Sequence, residues 1–108
     1  MQWNISSLKP DTFRTIREFQ PHFLFLQETR QIVRNSTAYN YVNLTREEIK
    51  APHPNGGGIA IGIASGIVFR NLTPKLPAAL RTYEILFVQA THETFEAYLI
   101  NIYLSNFP

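Results

Sequence analysis

Phe23-Leu24-Phe25-Leu26 runs directly into Gln27-Glu28-Thr29. Four large apolar residues in a row read as a buried strand, which leaves Glu28 at or just past its end. A carboxylate leaving a rigid strand is placed to hold a divalent metal ion or a catalytic partner; the plain alternative is a solvated strand end. Far along the chain, Asn101 and Tyr103 stand two apart, so they share one strand face with Phe95, Ala97 and Leu99. An amide on an apolar face must find hydrogen-bond partners or solvent, whereas a strand tyrosine is by itself an ordinary sheet aromatic. Asn4, behind Trp3, reads as a polar residue closing an edge strand. Arg30 and Arg34 follow Glu28 in a polar stretch. Beside a carboxylate they could meet a phosphate, and a solvated turn accounts for them equally well.

The elements that must position these groups are mostly strands. Residues 2–6 read as a short strand. Lys9-Pro10-Asp11 then suits the first turn of a helix over 11–20, with Phe13, Ile16 and Phe19 as its apolar stripe and Gln20-Pro21 as its end. A strand over 22–27 leads into a polar loop over 30–38, and Tyr39 to Leu44 has strand composition. Pro52, Pro54, Asn55 and Gly56-Gly57-Gly58 mark a loop over 46–58. Ile59, Ile61 and Ile63 alternate with Ala60, Gly62 and Ala64, a strand with one bulky face and one nearly bare face that another layer approaches closely. A short strand follows over Ile67 to Leu72, then a turn containing Pro74 and Pro77. Strands over 83–91 and 95–104 form a hairpin about His92-Glu93-Thr94.

This order predicts an α+β unit: one mostly antiparallel sheet with a single early helix on one face. Its other face carries Phe, Ile, Tyr and Leu side chains that need a partner layer. A length of 108 residues bounds the chain to one small domain, and 44% hydrophobic residues are enough for a core. The absence of Cys excludes disulfides and thiolate metal sites. There is no apolar run of membrane-spanning length and no signal-peptide pattern, so the expectation is an intracellular protein, not secreted and without a membrane partner. Ten Lys and Arg against eight Asp and Glu, a net charge of +2, give only weak support to nucleic-acid binding. His22, His53 and His92 have no partners at metal-ligand spacing, and the glycine triplet lacks the Lys-Ser/Thr of a phosphate-binding loop.

Trp3-Asn4, Gln27-Glu28-Thr29, Gly56-Gly57-Gly58-Ile59-Ala60-Ile61 and Asn101-Ile102-Tyr103, in this order and at these separations, resemble the first half of the endonuclease/exonuclease/phosphatase superfamily. The likeness is to the apurinic-endonuclease-like nucleases of non-LTR (LINE-type) retrotransposons in particular, and it spans essentially the whole chain. It implies half of a four-layer α/β/β/α sandwich and Mg²⁺-dependent hydrolysis of a DNA phosphodiester bond. Glu28 would be the metal ligand. Asn4 would orient the phosphate or metal-bound water, Tyr103 would stabilise charge developing on the phosphate, and Asn101 would support it. DNA is the implied partner, with Arg30 and Arg34 as candidate contacts, and the nucleus the implied location.

The resembled family also uses a Gly-Asp-x-Asn segment and a terminal Asp-His pair, neither of which occurs here; the one Asp, Asp11, belongs to the helix start. Residues 1–108 are therefore expected to be the N-terminal half of such a domain, truncated at both ends and inactive alone. Two other expectations stand beside it. One is a non-catalytic sheet module that dimerises or binds protein through its uncovered face. The other is part of an inositol-phosphatase-like member of the same superfamily, because a shared metal site does not define the leaving group.

Overall fold

The computed structural model describes residues 2–4, 21–46, 48 and 57–103. Strands β1 (Gln2–Asn4), β2 (Phe23–Gln27), β3 (Tyr39–Leu44), β4 (Ile59–Ala64), β5 (Val68–Asn71), β6 (Glu84–His92) and β7 (Phe95–Tyr103) lie close to where periodicity and turn residues place them. A 3-10 turn over Thr73–Lys75 follows β5. The expected helix over 11–20 and most of the 46–58 loop fall outside the described residues.

The strands form two sheets, not the single sheet expected. One has the order β1-β2-β4-β3 and the other β5-β6-β7; only β1 and β2 pair in parallel. The alternation of β4 shows why there are two. Ile59, Ile61 and Ile63, all fully buried, meet Leu86, Val88, Ala90 and Leu99 of the second sheet, with Val42 and Ile67 completing the cluster. The apolar face expected to need a partner layer is thus covered by the chain's own β5–β7 sheet. A period of two identifies the face a residue occupies but not the strand beside it. The chain crosses between sheets at Ser65-Gly66, where Gly66 has φ +94°.

On the outer face of the first sheet, Leu24, Leu26, Val33, Tyr39 and Ala60 form a second buried cluster. The bare face of β4 serves this layer. Gly62 pairs with Tyr41, and a Cβ at Gly62 would lie 2.7 Å from the Tyr41 ring and 3.2 Å from Leu24 Cβ. The edge of β3 is closed by side chains from 33–43. Asn43 accepts from Val33 N–H and donates to Val33 C=O, Asn35 accepts from Tyr41 N–H, and Ser36 accepts from Tyr39 N–H. These bonds occupy groups that would otherwise invite another strand.

Two outcomes follow from this packing. Gly62→Val forces atoms into the Tyr41 ring and should destabilise by about 1–3 kcal/mol in urea titration. Burial, and secondarily the charge of Tyr39, pushes the Tyr41 phenol from 10.0 up to about 12. The unfolded phenol loses its proton first, so this contribution is complete below pH 10.0 and is lost as pH rises toward about 12. Stability measured across that window should fall, and Tyr41→Phe should flatten the fall.

Candidate active site

Register brings the polar residues to one end of the sandwich. Asn4 stands opposite Gln27, Gln27 opposite Ile59, and Glu84 opposite Tyr103. The ends of β1, β2 and β7 therefore lie with the starts of β4 and β6.

The innermost residue is Asn101, 2% exposed. Its Nδ2 donates to Leu26 C=O at 3.1 Å and to Ala60 C=O at 3.0 Å, so one side chain of the second sheet is tied to two adjacent strands of the first. Gln27 Nε2 donates to Asn101 Oδ1 at 3.3 Å and to Ile102 C=O at 2.8 Å. The Asn101 amide is thereby fully engaged, which makes it a clip between sheets, and Gln27 is its partner. Among the described residues no buried side-chain polar atom lacks a hydrogen bond.

Next outward are Glu28 and Tyr103. Glu28 leaves β2 with φ +55°, and Arg30 follows at φ +58°, both in the left-handed region that side chains rarely adopt. The turn is held from the other side by two glycines: Thr29 N–H donates to Gly58 C=O at 3.1 Å and Arg30 N–H to Gly57 C=O at 2.8 Å. Gly57 and Gly58 are themselves left-handed, at φ +63° and +86°. A Cβ on Gly57 would lie 2.1 Å from Arg46 Nε, and one on Gly58 2.8 Å from Thr29 Oγ1, so bare backbone is required at both. The Tyr103 hydroxyl donates to Glu28 Oε1. That hydrogen bond, then burial and the Glu28 charge, raises the Tyr103 pKa; Glu84 adds to the rise and Arg46 opposes it.

Glu84 and Arg46 were not legible as site residues. They are 6% and 5% exposed and pair through Oε2 and Nε at 3.3 Å, while Glu84 Oε1 accepts from Gly58 N–H at 2.8 Å. One signal was present for Glu84: it occupies the inward phase of Glu84-Leu86-Val88-Ala90, where an acid is out of character. Nothing local marks Arg46. Arg30 and Arg34 are both exposed on the loop beyond Glu28. His22 and His92 are exposed at the opposite end, on either side of Phe95, and take no part.

Glu28, half-buried at the rim, offers hard oxygen donors, and among the described residues its Oε2 accepts no hydrogen bond. Among the described residues no group of three or more His, Cys, Asp or Glu gathers. Such a donor set does not suit a dedicated protein cage. The Glu28 carboxylate could supply one oxygen ligand to a hard cation such as Mg²⁺, whose other ligands are commonly waters and substrate phosphate.

No family model matches the chain, and no curated protein matches it. Glu28→Ala, which removes both the hydrogen-bond acceptor and the charge, should bring the Tyr103 pKa down toward 10.0. An NMR titration of isotope-labelled tyrosine reads this directly, and an unmoved midpoint would show that the two side chains do not meet in solution.

Proposed function

We propose that this chain is part of a Mg²⁺-dependent phosphodiesterase of the endonuclease/exonuclease/phosphatase type, most like the DNA endonuclease of LINE-type retrotransposons. The observation that carries the reading is the convergence of motifs distant in sequence. Glu28 and Tyr103, 75 residues apart, share a hydrogen bond at the end of the sandwich where β1 brings Asn4. The two sheets serve as the inner layers of a four-layer α/β/β/α sandwich. Apolar outer faces support this: Leu24 and Leu26 on one sheet, and the exposed Tyr98, Ile100 and Ile102 on the other.

In this reading Glu28 holds the ion, which when bound polarises a phosphate oxygen and supplies positive charge against the developing negative charge. Tyr103 donates its hydroxyl proton to the carboxylate here, and its phenol, protonated at neutral pH, would turn that proton to the phosphate once the ion engages the carboxylate. Gln27 and Asn101 fix the two strands that carry them. Arg30 and Arg34 are exposed beyond the carboxylate, where cations would meet the DNA backbone. Hydrolysis also needs a base for the attacking water. Among the described residues no Asp or His lies beside Glu28 to serve, so this chain alone is expected not to nick supercoiled plasmid.

The test is binding. Mn²⁺, a paramagnetic substitute, should broaden NMR signals of Glu28, Thr29 and Tyr103 selectively, and Glu28→Gln should abolish the effect. Absence of selective broadening in the wild-type chain removes the metal reading. Duplex DNA should then shift Arg30 and Arg34, with Arg30→Ala and Arg34→Ala each lowering the salt slope of binding by about 1. Shifts produced by an inositol polyphosphate and not by DNA would favour the phosphatase branch instead.

A further inference from the structure

Glu84 lies one step removed from the carboxylate that the proposed function employs. We infer that Glu84, with Arg46, is a positioning residue: it fixes the Gly57-Gly58 turn and through it the left-handed turn that aims Glu28. The inference rests on the metal reading only for its functional consequence; the linkage itself is geometric.

The linkage is continuous. Arg46 Nε meets Glu84 Oε2 at 3.3 Å, and Gly58 N–H donates to Glu84 Oε1 at 2.8 Å. Gly58 and Gly57 then use their carbonyls to hold the N–H groups of Thr29 and Arg30 at 3.1 and 2.8 Å. Those are the two residues following Glu28, and they leave Glu28 no freedom to relax to ordinary strand geometry at φ +55°. Glu84 is also the cross-strand partner of Tyr103, so a single carboxylate is fixed to both sides of the Glu28–Tyr103 contact: by register to one and through the glycines to the other.

Charge explains why an acid is used. An amide or hydroxyl at 84 could accept from Gly58 N–H but would give up the charge-assisted contact with the almost fully buried Arg46. With the carboxylate present, Gly58 N–H donates a charge-assisted bond to an anion that a guanidinium holds in place. Arg46 thus orients Glu84, Glu84 holds the glycines, and the glycines hold the Glu28 turn. The same arrangement gives the glycines a purpose separate from phosphate binding: a side chain on Gly57 would strike the ion pair itself.

The decisive variant replaces the pair together, Arg46→Met with Glu84→Leu. Exchanging a buried ion pair for apolar groups is often tolerated, whereas removing one partner leaves a buried charge, so the double variant separates positioning from stability. Its unfolding midpoint should stay close to wild type. Hydrogen exchange at the Thr29 and Arg30 amides should accelerate by about tenfold or more while amides of the β6–β7 ladder remain protected. Mn²⁺ affinity should fall by roughly 10- to 100-fold, as it does when the partners that orient a metal ligand are removed. Val88→Ala, destabilising the core without touching the linkage, should leave Mn²⁺ affinity unchanged.

Wild-type protection of Thr29 and Arg30 in the folded double variant would overturn the linkage. Faster exchange with unchanged Mn²⁺ affinity would overturn the positioning role. If the wild-type chain binds no Mn²⁺, the metal reading fails on its own and the exchange result still decides whether Glu84 holds the turn. Glu84→Ala, which removes the acceptor of Gly58 N–H, supplies the same two readouts if the double variant does not fold.

Discussion

Asn101 sets the register on which the rest of the arrangement depends. Hydrophobic packing between the sheets is non-directional: Ile59, Ile61 and Ile63 against Leu86, Val88 and Leu99 would remain buried after a small slide. The Asn101 amide would not tolerate one. Its two donors reach Leu26 and Ala60, and its acceptor meets Gln27, at one relative position of the sheets. Leaving such a buried group unsatisfied costs about 1–3 kcal/mol, a large part of what a small domain has. Glu28 follows Gln27 and Tyr103 lies two residues beyond Asn101, so both inherit the precision of the clip. The hydrogen bond between them results from that register and does not create it.

The sandwich is chemically lopsided, and the distribution of cost explains this. At the end away from Glu28, Phe23 and Phe95 meet edge to face with ring centres 6.1 Å apart, and His22 and His92 border them from solvent. At the site end, the inward positions of the same strands carry Gln27, Glu84, Asn101 and Tyr103. A buried carboxylate and guanidinium are weak contributors to stability even when well paired. They are more naturally understood as fixing one geometry, and here the geometry they fix is a turn that the sequence would not adopt unaided.

The strands were legible because each carries a local pattern. Alternation in β4 and β7, the apolar run in β2 and the proline-bearing turn after β5 all depend on residues within a few positions of one another. The division into two sheets was not, because pairing partners are chosen by tertiary packing and periodicity reports only the face. Likewise Glu28 and Tyr103 could each be picked from short motifs, but their contact could not, since it depends on a register fixed by Asn101. Gly62 was recognisable as a bare position approached by something; that the approaching group is Tyr41, its partner on the neighbouring strand, required the pairing of β3 with β4. Glu84 stood in view as an acid in an apolar phase, and its meaning appeared only when Arg46 and Gly58 were placed against it.

The positive φ angles of Glu28 and Arg30 connect local strain to the site. Holding a residue with a side chain in the left-handed region costs of order 1–3 kcal/mol and persists only where the surroundings enforce it. A strand that simply ended in solvent would have no reason to do so, and Glu28 could continue in extended geometry with its side chain free in water. Here the next two N–H groups are instead captured by glycine carbonyls, and the carboxylate is turned back to the Tyr103 phenol at the rim of the core. The same turn leaves Arg30 exposed, so the cation does not collapse onto the carboxylate as a surface ion pair. An acid held by strain beside a protonated phenol, with basic side chains kept apart in solvent, is costly as a loop ending, and that cost is what the proposed cation and phosphate site would account for.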